Sequence, residues 1–89
     1  MNESNDKRAT WVEDQGVESA VLRQLLDLHP TQLTIAELRR ELGSDGGFAE
    51  RDAVERAVRD LAAVGLIHQG REFVVPTRAA LRFSELLDQ

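Results

Sequence analysis

The chain has 89 residues, 42% hydrophobic and 30% charged, which is enough for one folded domain and too little for a two-lobed enzyme with a cleft between domains. Sixteen acids against eleven bases give a net charge of -5, which excludes a protein that simply coats nucleic acid or an anionic membrane and confines any nucleic-acid contact to local basic patches. There is no cysteine, so disulfides, thiolate metal sites and cysteine nucleophiles are excluded together. No apolar run approaches the ~20 residues that span a bilayer, and residues 1–16 lack the apolar stretch of a signal peptide. A cytoplasmic protein without membrane partners is the expectation.

Residues 1–16 carry four acids and two bases with little apolar content besides Trp11 and Val12, the composition of a flexible arm preceding a domain over residues 17–89. In residues 17–29 Val17, Val21, Leu25 and Leu28 form one stripe at helical spacing, and Leu22 with Leu26 forms a second about 100° round. A helix apolar over so wide an arc packs against more than one neighbour, and Pro30 closes it. Thr34-Ile35-Ala36-Glu37 is a capping box, in which the Thr hydroxyl and the Glu carboxylate each satisfy an unpaired amide of the other residue. It predicts a second helix over residues 34–42, with Ile35, Leu38 and Leu42 inward and Gly43 as its stop.

After the loop Ser44-Asp45-Gly46-Gly47, a third helix is predicted over residues 49–64. Val54, Ala57, Val58, Leu61 and Val64 face inward, Ala49 is the cap, Phe48 and Ala53 form a hydrophobic staple, and Gly65 is the stop. Residues 66–68 and 72–75 then read as two short strands around Gln69-Gly70-Arg71, a hairpin too small to stand alone that must lie on the helices. Thr77 caps a fourth helix over residues 78–88, whose Ala79, Ala80, Phe83, Leu86 and Leu87 share one inward side while Leu81 points away.

The order of helix, capped helix, turn, longer helix, Gly-Leu-Ile strand and glycine hairpin over residues 17–75 resembles the winged helix-turn-helix superfamily. Its most specific stretch is AVRDLAAVGLI, residues 57–67, which is similar to the family's third helix running through a glycine into the first wing strand. The resemblance implies a mainly α fold of four helices with a small antiparallel hairpin wing. It also implies a short strand at residues 32–34 that pairs with the hairpin. In members that bind DNA, the third helix enters the major groove and the wing approaches the backbone nearby. Carried onto this sequence, the DNA-contacting residues are Arg51, Arg56 and Arg59 on the third helix and Arg71 at the wing tip.

Two functions from different classes fit the residues. One is a DNA-binding protein of transcription-regulator type, favoured by arginines on both the third helix and the wing. The other is a winged-helix module that binds protein and not DNA. It is favoured by Asp52, Glu55 and Asp60, which interleave with Arg51, Arg56 and Arg59 at four-residue spacing and form ion-pair ladders of the kind seen on solvated helix faces. Trp11 in its polar arm and outward Leu81 are two unassigned apolar groups, read as contacts of a homodimer.

His29 and His68 lack partners at metal-ligand spacing, so no metal or other cofactor is expected. The serines lack a nucleophile-elbow setting, and the Asp45-Gly46-Gly47 loop lacks the ligands of a phosphate or calcium loop. A binding protein is therefore expected rather than an enzyme.

Overall fold

The structure is a computed structural model. It describes the backbone of residues 3–43 and 51–88 and the side chains of residues 15–43 and 52–88. Within these residues the chain forms helices α1 (Glu3–Leu28), α2 (Ile35–Gly43), α3 (Arg51–Ala63) and α4 (Arg78–Leu87). Its strands are β1 (Leu33–Thr34), β2 (Ile67–Gln69) and β3 (Phe73–Pro76). The molecule is mainly helical, with a small antiparallel sheet of strand order β1-β3-β2. The Asp45-Gly46-Gly47 loop, the Phe48 staple and the Ala49 cap lie outside the described residues.

The core is where the predicted stripes meet. Val17, Val21 and Leu25 of α1 pack on α3, its main neighbour, whose Val54, Ala57, Val58 and Leu61 are all buried. Leu38 of α2, with 0% exposure, closes the bundle beneath. The second α1 stripe behaves differently, because Leu22 is only partly buried against the core and Leu26 is half-buried too. The helix also begins at Glu3, so most of the stretch expected to be a flexible arm has helical backbone.

The sheet is small and well specified. Leu33 pairs with Val74 and Thr34 with Phe73, while Ile67, His68 and Gln69 pair with Pro76, Val75 and Val74. This register turns Leu33, Ile67 and Val74 into the core together. The expected strand at residues 32–34 is present as β1. Its Thr34 also starts α2 through the capping box: the Thr34 amide donates to Glu37 Oε1 at 2.8 Å, and the Glu37 amide donates to Thr34 Oγ1 at 3.1 Å.

Two expectations about helix faces fail for identifiable reasons. Val64, expected inward, is 70% exposed. Gly65 adopts φ +86°, its amide bonds the Ala62 carbonyl at 3.1 Å, and the Leu66 amide bonds the Leu61 carbonyl at 3.0 Å. This is a Schellman stop, which makes Val64 the cap residue where the chain leaves the helix, so the inward period ends at Leu61.

In α4, Ala80 is buried and Leu81 and Ser84 are half-buried, whereas Phe83, Leu86 and Leu87 are 60%, 51% and 69% exposed. The expected inward side therefore faces largely outward, and Leu81 does not point away from the fold. The cause is the helix entry. Thr77 Oγ1 accepts from the Ala80 amide at 3.2 Å and donates to the Gly65 carbonyl at 2.7 Å, and the Thr77 amide donates to the Leu66 carbonyl at 3.0 Å. With its start clamped to the end of α3, α4 approaches through small Ala80 and Ser84.

Candidate nucleic-acid interface

The outward side of α3 follows from its inward side. Because Val54, Ala57, Val58 and Leu61 occupy one buried face, a turn of about 100° per residue carries Asp52, Glu55, Arg56, Arg59 and Asp60 to the other. All five are exposed. Asp52, Glu55, Arg56 and Arg59 line one open depression of about 290 Å³, so the structure brings two of the sequence-derived arginines onto a shared surface. Arg51 is the first residue of α3, and its side chain lies outside the described residues.

Tertiary packing alters the expected charge ladder. Arg39 Nη1, from α2, donates to Glu55 Oε2 at 2.8 Å, with the two side chains 24% and 46% exposed. Glu55 thus has a partner outside α3, and the pair bridges α2 to α3. Arg56 is engaged in a polar or ionic interaction as well. Sequence reasoning missed Arg39 because the pair spans sixteen positions, beyond the three or four that helix-surface spacing covers. The available signal was the Arg39-Arg40 doublet, but which acid it meets depends on how α2 crosses α3.

The electrostatic consequence is local. A carboxylate that accepts from a guanidinium projects less negative potential toward a neighbouring phosphate than a solitary one, so the face is less repulsive to DNA than its composition suggests. Asp52 and Asp60 remain exposed beside the arginines.

Arg71 lies exposed between β2 and β3. The turn is closed by the Gly70 amide, which donates to the Phe73 carbonyl at 2.9 Å. Since β2 starts directly after the Schellman stop and Thr77 ties the exit of β3 to Gly65, both ends of the hairpin are fixed to the C-terminal end of α3. The backbone of Trp11 belongs to α1, and its side chain lies outside the described residues. Leu81, half-buried on α4, offers less surface to a second copy than the sequence suggests.

No group of three or more His, Asp or Glu side chains that could hold a metal ion occurs among the described residues. Among those residues no helix is long and apolar enough to cross a membrane. Comparison with protein-family models, with curated proteins and with solved structures gives no match.

Proposed function

We propose that this chain is a winged helix-turn-helix protein that binds duplex DNA through α3 and the β2–β3 hairpin, as a cytoplasmic regulator of transcription. The architecture supports the reading: elements run α1-β1-α2-α3-β2-β3 with β1 against β3, the arrangement that the resemblance implies. The observation that carries it is the exposed pair Arg56 and Arg59 on one face of α3, with Glu55 of that face already held by Arg39. Arg56 and Arg59, with Arg51 one turn earlier, meet the major groove, and Arg71 steadies the hairpin against the backbone. The role is one of binding, without a catalytic step or cofactor.

Fluorescence anisotropy with mixed-sequence duplexes at low salt tests this. Wild-type protein is expected to bind, and Arg56→Glu with Arg59→Glu to abolish binding. No binding by wild type at tens of micromolar protein, with no increase for Asp52→Asn, would overturn the reading for nonspecific duplex DNA. The exposed Asp52 and Asp60 favour a second reading, in which the same face holds a basic protein partner. There, DNA is ignored even at low ionic strength and Asp52→Asn weakens the protein complex.

A further inference from the structure

We infer that a second copy of this chain docks on the α1–α4 face, with the two α4 helices antiparallel about a twofold axis. One apolar stripe of α1 is only half covered there, and one of α4 is largely exposed. Half-buried Leu22 and Leu26 of α1 face Phe83 and Leu87 of α4, 60% and 69% exposed, across a groove of about 520 Å³ floored by Ala80 and Leu66. Leu86, 51% exposed, does not line the groove and lies one stripe further round the helix. Phe83, Leu86 and Leu87 together leave roughly 300 Å² of apolar surface in water, comparable to the largest patch on a typical monomer. Here it is concentrated on a helix of ten residues.

Charge selects a second copy as the occupant. Arg78 and Arg82 lie in the first half of α4, and Glu85 and Asp88 lie toward its end, leaving no acid in the first turn and no base in the last. That order opposes the helix dipole, which favours acids at the start and bases at the end. In an antiparallel pair the basic half of each α4 lies beside the acidic half of the other, whereas a parallel pair sets like against like. The Arg82–Glu85 contact within one helix, at 3.3 Å and with side chains 69% and 64% exposed, is weak enough to give way.

Shape and area agree with charge. Ridge and groove belong to one continuous patch, which makes it self-complementary, as a twofold contact requires. A standard interface covers about 800 Å² per partner. The three exposed side chains supply roughly a third of that, and the α1 wall around Ser19, Leu22 and Leu26 extends it, which puts the contact at the small end of stable interfaces. Leu81 does not line the groove and lies outside this contact, where Phe83, Leu86 and Leu87 take its place.

Sedimentation equilibrium of the full chain without DNA tests the inference independently of the DNA reading. Wild type is expected to reach twice 10.0 kDa from micromolar to a few hundred micromolar protein. Phe83→Glu with Leu87→Glu is expected to stay monomeric, with an unchanged far-UV circular dichroism spectrum and a cooperative melt. Val64→Glu, at an equally exposed apolar position away from the groove, should leave the dimer intact. Because the chain has no cysteine, Leu86→Cys is expected to form a covalent dimer under mild oxidation while Val64→Cys does not. A wild-type monomer at a few hundred micromolar overturns the proposal, as does a dimer that survives the double substitution. A monomer that binds an apolar fluorescent probe stoichiometrically in the groove overturns it in favour of a small-molecule site.

Discussion

Thr34 and Thr77 occupy junctions where one residue serves two elements. Thr34 closes the α2 cap while its backbone belongs to β1, so Thr34→Ala is expected to cost about 1 kcal/mol. Glu37→Gln keeps an acceptor at the third helical position and should cost only a few tenths of a kcal/mol. Urea titration resolves that difference, and equal losses would mean that the charge of Glu37 matters to the cap as much as the Thr34 hydroxyl does. Leu61 and Val64 make a sharper contrast. Both look inward by period, yet Leu61 is 4% and Val64 70% exposed. Leu61→Ala is therefore expected to lose about 2–5 kcal/mol, and Val64→Ala to stay within about 0.5 kcal/mol. Comparable losses at both positions would show that α3 runs on through Gly65.

Elements were legible in the sequence wherever a local cause fixed them. The capping box sets the start of α2 and the glycine with positive φ sets the end of α3, whereas β1 and its place in the sheet were expected only from the family resemblance. The outward α3 arginines were legible for the same reason, since the apolar period leaves them no other side. What the sequence did not disclose is nonlocal. The Arg39–Glu55 bridge depends on the crossing of α2 over α3. The outward turn of Phe83, Leu86 and Leu87 depends on a clamp at Thr77 that reaches back to Gly65. An amphipathic period shows which side chains share a side, but not whether that side meets the chain's own core or another molecule. Thr77→Val removes the acceptor for Ala80 and the donor to Gly65 at nearly constant volume. It is expected to cost about 1–2 kcal/mol and to raise amide exchange in α4 more than in α3. Uniform exchange throughout would mean that Thr77 stabilises the fold without orienting α4.

For the molecule as a whole, net charge opposes DNA, so the proposed reading rests on local contacts. The chain carries -5 overall, with four acids and two bases in residues 1–16, so long-range attraction to a duplex is absent and binding must come from contacts within a Debye length of about 10 Å at ordinary salt. Under the proposed reading, two or three of the four candidate arginines meet phosphate in each protomer, and the others read bases. Counterion release then gives a slope of log affinity against log salt of about -2 to -3 for one protomer. A twofold dimer presents two α3 helices to successive half-sites and should double that slope. Phe83→Gln with Leu87→Gln removes the apolar contact without adding charge, so it separates the terms. The variant is expected to bind DNA more weakly than wild type with half its salt slope, because one recognition surface is lost while the arginines of the other are untouched. Equal slopes for wild type and variant, beside a loss of the dimer in sedimentation, would mean that DNA engages a single protomer and that self-association through α4 serves some other contact.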